Sequence, residues 1–273
     1  MGFYSPATLV KDAKRHGIRV RPVCVLASQP ECRVDDDRTL RLGLRLVKGL
    51  SSSTAGRVMA ARAERPFAGL EDFLLRARPN KGERRVLAKI GALNNLPGIR
   101  HRRDALWDAE QAVADDLFEY GRAQAGERES ASTLPAMHPG ERLRADYEGL
   151  HLTTGPHPMA FLRERLPDAW RAADLVQAKH NQRVLIAGMV ICRQRPGTAK
   201  GHVFVSLEDE TGIANAFVPS STFERNRLTI TQEPFLKIWG RLQHVDNVIS
   251  VYALKVDALA SPDAVAPKSH DFR

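Results

Sequence analysis

Between residues 183 and 256 the chain repeatedly places Arg, Lys or an aromatic ring on the polar side of short alternating segments. An aromatic ring stacks on any nucleobase for roughly 1–3 kcal/mol per base, without reading sequence. A cation beside it tracks phosphates through a term that weakens as salt rises. The side chains with that chemistry are Phe204, Phe217 and Trp239, with Asn215 among them, and the cations Arg193, Arg195, Lys200 and Arg241. The competing reading is that these rings anchor a neighbouring protein domain, as aromatics on strand surfaces often do.

Period-two alternation bounded by turn residues positions these side chains on strands. In HVFVSLED, Val203, Val205 and Leu207 point one way and His202, Phe204 and Ser206 the other. After the EDETG turn, Ala214, Ala216 and Val218 alternate with Ile213, Asn215 and Phe217. PSSTFERN reads as a short helix containing Phe223, and FLKIWGRLQ then sets Leu236 and Ile238 against Lys237, Trp239 and Arg241. With VISVYALKV as the last strand, five strands and a helix between the third and fourth match the partly open OB-fold barrel, which binds oligonucleotides across strands two and three.

The N-terminal half reads as mostly helical. Ser5 and Pro6 start a helix that Gly17 ends, IRVRPV is a strand, and TLRLGLRLV alternates Leu40, Leu42, Leu44 and Leu46 inward. Helices follow from Ser51–Ser53, in GLEDFLLRA, in KGERRVLAKIGAL and from Arg102 to Val113. A glycine turn between two helices offers backbone N–H groups and a positive helix end to a phosphate. KGLSSS, with Lys48 and Gly49, and IGAL, with Gly91, each have that form; plain helix stops are the other reading. Arg57 and the basic run Arg100, Arg102 and Arg103 lie close by in the sequence.

The 273 residues carry a net charge of +9, which points to an anionic partner. Residues 1–135 hold 24 Lys and Arg against 17 Asp and Glu, and residues 136–273 hold 17 against 15, so the N-terminal half has the larger electrostatic footprint. No apolar run is long enough to cross a bilayer and no signal peptide opens the chain. Cys24, Cys32 and Cys192 have no metal-like spacing, and a reducing, cytoplasmic setting is the default. His151, His157 and His180 share no metal spacing either. Residues 121–145, rich in Gly, Ala, Ser and Pro, read as a linker.

GFYSPATLVKDAKRHGIRVRPV, LRLGLRLVKGL, RPFAGLEDFLLRA, KIGALNNL with HRRDALWDA, LTTGPHPMAFLRERL and RQRPGTAKGHVFVSLEDETG together resemble the C-terminal part of the bacterial C-family DNA polymerases, on their error-prone, damage-inducible branch. The resemblance implies an α+β chain: residues 1–37 as the end of a fingers region, 38–120 a helix-hairpin-helix region, 121–182 a linker with a connecting helix, 183–260 an OB-fold domain and 261–273 a tail. It also implies DNA, single-stranded and primer-template, as partner, and other translesion proteins beside it. In Ala114-Asp115-Asp116-Leu117-Phe118 it implies a sliding-clamp contact at Leu117 and Phe118; buried helix residues are the alternative.

Family members transfer nucleotides with palm carboxylates that hold two metal ions. No such palm motif surrounds Asp35-Asp36-Asp37, which reads as a solvated turn, and Glu208-Asp209-Glu210 belongs to the turn before Gly212. The expectation is a chain without catalytic residues or cofactor of its own, magnesium belonging to the full-length polymerase. MGFY resembles a stretch internal to the family, so Met1 would open in mid-domain.

Overall fold

In the computed structural model, residues 5–111, 134–245, 248–260 and 269–272 are described. The chain divides into two compact units, 1–154 and 155–273. No helix among the described residues is long and apolar enough to cross a membrane.

The first unit begins with α1 (Pro6–Arg15), whose Ser5 cap accepts from the Thr8 N–H. Three short strands follow, β1 (Arg19–Arg21), β2 (Arg33–Asp36) and β3 (Thr39–Arg41), with β3 central, parallel to β1 and antiparallel to β2. The alternating TLRLGLRLV run is a strand only in its first three residues. At Gly43 the backbone lies against Pro30 and Glu31 too closely for any side chain, and Leu44–Leu46 turn into a 3-10 helix. Leu42 and Leu44 are fully buried, as the alternation requires, while Leu40 and Leu46 are only partly covered.

Four helices then pack around Phe73, Leu87 and Leu93: α2 (Ser52–Glu64), α3 (Leu70–Ala77), α4 (Lys81–Lys89) and α5 (Arg102–Gln111). Glu83 fastens two of them. Its buried carboxylate accepts from the N–H groups of Ser51 and Asn80 and from the Thr54 hydroxyl, tying the starts of α2 and α4 together. A sixth helix, α6 (Pro139–Leu150), occupies part of the stretch expected to be linker. His138 caps it, Pro139 fits its first turn, and Leu143, Tyr147 and Leu150 are buried, so its apolar spacing outweighs the Gly and Pro content. The unit boundary accordingly falls after Thr154.

The second unit is a closed barrel. β4 (Arg183–Gln194) pairs through its first half with β7 (Phe235–Val245) and through its second half with β5 (Val203–Glu208), shifting register between Val190 and Cys192. β6 (Ile213–Val218) is antiparallel to β5 and parallel to β8 (Val248–Ala258), which pairs with β7 to complete the circuit. Two short helices, α7 (Ser220–Arg225) and α8 (Arg227–Gln232), connect β6 to β7 and send Phe223 and Ile230 into the core. The inward residues read from the alternation, Val203, Val205, Leu207, Ala214, Ala216, Val218, Leu236 and Ile238, are all buried there. A strand within the expected tail, β9 (His270–Phe272), runs parallel to the end of β4. Met159, Leu162 and Leu166, from two 3-10 turns, cover Ala187, Met189 and Phe235 on one side of the barrel wall.

Candidate nucleic-acid interface

Strand registers place one row of outward side chains across the barrel. Phe204 on β5 lies opposite Phe217 on β6, Phe217 opposite Tyr252 on β8, Tyr252 opposite Arg241 on β7, and Arg241 opposite Arg183 on β4. Neighbouring strands stand about 5 Å apart, so the rings touch. The Phe204 and Phe217 centroids are 5.5 Å apart and edge-on, and those of Phe217 and Tyr252 are 5.7 Å apart. His202 lies 4.9 Å from the Phe217 ring, and its Nδ1 accepts from the Ser220 N–H. Phe204 is 42% exposed, too accessible to be a core residue. The next row is polar: Ser206, Asn215, Ser250 and Gln243 are in register, and the Ser206 hydroxyl donates to the Asn215 side-chain oxygen at 2.8 Å.

Arg241 and Lys200 are exposed and form no ion pair among the described residues, and Lys200 sits with φ +48° in the turn between β4 and β5. Arg195 stacks on Phe223 at 4.6 Å and lies 3.4 Å from Glu224. Trp239 is half-buried with the ammonium groups of Lys255 and Lys237 over its ring at 4.8 and 5.5 Å. Arg193 stands apart from the interface: its guanidinium donates to the carbonyls of Ile230 and Glu233 and to Ser269, and pairs with Asp271. With only 11% of that side chain exposed, it joins α8 and β9 to β4. Tyr252, Arg183, Lys237 and Lys255 were not singled out in the sequence. Tyr252 carries the same signal as Phe204, an outward ring between the buried Val251 and Ala253.

In the first unit, Gly49 has φ +78°, and a side chain there would meet nothing within 4 Å. The turn therefore faces open space beside the start of α2, where Lys48 is exposed and without an ion pair among the described residues. An adjoining groove of about 410 Å³ is lined by Lys48, Gly49, Arg85 and Lys89 and by the acidic Glu83 and Glu148, with Arg85 paired to Glu110 and Lys89 to Glu148. Gly91 has the same φ, but Arg102 and Asn94 close over it. Arg102 donates to the Lys89 carbonyl at the end of α4 and to Asp146 at 2.7 Å. Burial pushes the Asp146 carboxyl above the usual aspartate range, against the pull of Arg102 and Thr153. Arg57 likewise caps the end of α3 through the carbonyls of Ala77 and Arg78. Arg100 pairs with Asp104 and Arg103 with Glu141. Of the cations expected at this turn, the Lys48 ammonium alone is without an ion pair or carbonyl partner among the described residues; Arg57 and Arg102 bond helix-end carbonyls, and Arg100 and Arg103 sit in ion pairs.

The acidic runs are structural too. Asp35 pairs with Arg33 and Arg41, and Asp36 accepts from the Arg38 N–H. Asp209 is buried, accepts from the N–H groups of Thr211, Gly212 and Ala172, and pairs with Arg163, which also binds Glu210. Among the described residues, no group of three or more His, Cys, Asp or Glu is placed to hold a metal ion. Leu117 and Phe118 lie outside the described residues.

Residues 17–105 match the helix-hairpin-helix motif family, and residues 184–259 match the OB-fold nucleic acid binding domain family. The error-prone DNA polymerase of Dechloromonas aromatica is 40% identical over 277 residues, covering 100% of this chain and 26% of its own length. That of Alkalilimnicola ehrlichii is 43% identical over 260 residues, covering 92% and 25%. The chain is homologous to the C-terminal quarter of the error-prone DNA polymerases. The error-prone DNA polymerase of Pseudomonas syringae pv. syringae extends the pattern, 38% identical over 289 residues and again across 100% of this chain. The chain spans about a quarter of the length of these error-prone polymerase relatives.

Proposed function

We propose that this chain is a DNA-holding part of an error-prone DNA polymerase, gripping unpaired template on the barrel and duplex backbone at the Lys48–Gly49 turn. The observation that carries the reading is the row Phe204, Phe217, Tyr252, Arg241 and Arg183, three rings ending in two exposed cations. Three rings in contact offer successive bases a sequence-tolerant platform, and the two guanidinium groups offer the backbone counter-charge. At the Gly49 turn, the Lys48 ammonium and the N–H groups of Ser52 and Ser53 in the first turn of a thirteen-residue helix suit a phosphate of either strand, those of Ser51 and Thr54 being bonded to Glu83 and to the Ser51 hydroxyl. Because the matched relatives are about four times longer, nucleotidyl transfer is assigned to segments beyond this homology, and the chain alone binds DNA without extending a primer. Within the whole polymerase, which would work in the cytoplasm, this grip serves translesion synthesis. A sliding-clamp contact through Leu117 and Phe118 belongs to the same reading.

A fluorescence anisotropy titration with single-stranded and duplex oligonucleotides at two salt concentrations tests this. Phe217→Ala is expected to weaken the single-strand complex with little change in salt slope, and Lys48→Ala to weaken the duplex complex with a shallower slope. Unchanged single-strand affinity in Phe217→Ala would refute the barrel assignment.

A further inference from the structure

The outward face of the β7–β8 hairpin carries a second feature that the aromatic row does not use. Along β7 the outward residues are Phe235, Lys237, Trp239 and Arg241, and Phe235 is covered by the segment that bears Met159 and Leu162. Opposite them on β8 stand Asp257 against Lys237, Lys255 against Trp239 and Tyr252 against Arg241. The register shifts between Trp239 and Gly240, which turns both Leu254 and Lys255 outward and leaves Leu254 44% exposed. Both ammonium groups then lie over one indole ring, and Asp257 accepts from Lys255 at 2.8 Å. A Lys stem is otherwise free to sample many rotamers, and its attraction to a ring face restricts it.

We infer that Trp239 is a positioning residue for Lys237 and Lys255, which bind the phosphates of single-stranded DNA after it has crossed the aromatic row. The path follows from the order of side chains. Tyr252 and Arg241 carry the row across this hairpin, and the next outward pair on it is Trp239 and Lys255, with Lys237 beyond it. A ring already occupied by two cations is a poor stacking platform, so the role of Trp239 differs from that of Phe204 and Phe217. Asp257 restrains Lys255 and partly offsets its charge, leaving Lys237 as the less neutralised of the pair. The inference rests on the proposed single-strand grip and deepens it by adding a phosphate track that leaves the row along β7.

The test measures binding of a four-nucleotide and a twelve-nucleotide oligothymidylate across a salt series, using the whole chain. Replacing Lys237 and Lys255 together by Ala removes two phosphate contacts, which lowers the salt slope for the twelve-mer by about 1.4 and leaves the four-mer unchanged. Trp239→Leu shifts the twelve-mer slope the same way by a smaller amount, and Trp239→Phe restores it. If the double variant leaves the twelve-mer slope unchanged, or alters both oligomers alike, while Phe217→Ala still weakens both, the track is refuted and the grip stands. If the unaltered chain binds neither oligomer, the grip and the track fall together.

Discussion

Phe217 and Tyr252 meet at a centroid distance of 5.7 Å, although they belong to strands separated by two helices and a further strand. The parallel pairing of β6 with β8 creates that contact and turns two separate rings into one platform. Phe217 also touches Phe204 and His202, so it is the centre of the row. Phe217→Ala is therefore expected to reduce single-strand affinity more than Phe204→Ala or Tyr252→Ala. Each loss should fall in the range of about 1–3 kcal/mol for a stacked base, as measured by titration at fixed salt.

Arg193→Ala is expected to act on stability. Its guanidinium satisfies two carbonyls near the end of α8 and holds Ser269 and Asp271, so removal leaves charge-assisted bonds unmade. A loss of roughly 2–3 kcal/mol in denaturant unfolding, with the salt slope for DNA unchanged, is the expected pattern.

Removing Arg102 leaves Asp146 buried without its guanidinium partner. Breaking one side of such a pair costs about 3–5 kcal/mol, and the chain should unfold at correspondingly lower denaturant. Arg103→Ala, which breaks a pair with the half-exposed Glu141, should change stability by at most about 1 kcal/mol.

Acid should destabilise the first unit through Asp72 and Glu83. The Ala68 N–H, followed by Arg65 and Arg76, holds the Asp72 carboxyl at about 2. Burial alone would raise Glu83, but the hydrogen bonds from Ser51, Asn80 and Thr54 outweigh it and lower the carboxyl below its ordinary 4.5. A lowered native value means the unfolded chain binds more protons. The stabilisation is complete above the ordinary carboxylate range and is lost as pH falls through the native values. Asp146, raised by burial, works in the opposite direction. Unfolding midpoints between pH 7 and 2 should fall less steeply in Glu83→Gln and Asp72→Asn than in the unaltered chain.

Gly240→Ala should be strongly destabilising, because an added methyl group would run into the Tyr252 carbonyl and the Val251 side chain. Overpacking of this kind costs about 1–3 kcal/mol. Here it would also force β7 away from β8, weakening DNA binding together with stability, which parallel unfolding and titration curves would reveal.

Much of the barrel is legible because its strands alternate cleanly, as in Val203, Val205 and Leu207 against Phe204 and Ser206. The alternation around Tyr252 marks it as outward, but its meeting with Phe217 depends on a parallel pairing that no local pattern encodes, and the three residues of β9 carry no period. The basic side chains were hardest to read. Arg57, Arg102 and Arg193 each reach a carbonyl brought close only by tertiary packing, and a guanidinium looks the same in sequence whether it caps a helix or faces solvent. The reverse holds for α6, where Gly and Pro content concealed a buried face with Leu143, Tyr147 and Leu150.

Photo-cross-linking of an oligothymidylate to the whole chain, with the modified peptides located by mass spectrometry, tests the central claim most directly. Adducts on Phe204, Phe217 or Tyr252 are the expected result. Binding with adducts confined to other surfaces, or with none on these three rings, would contradict it.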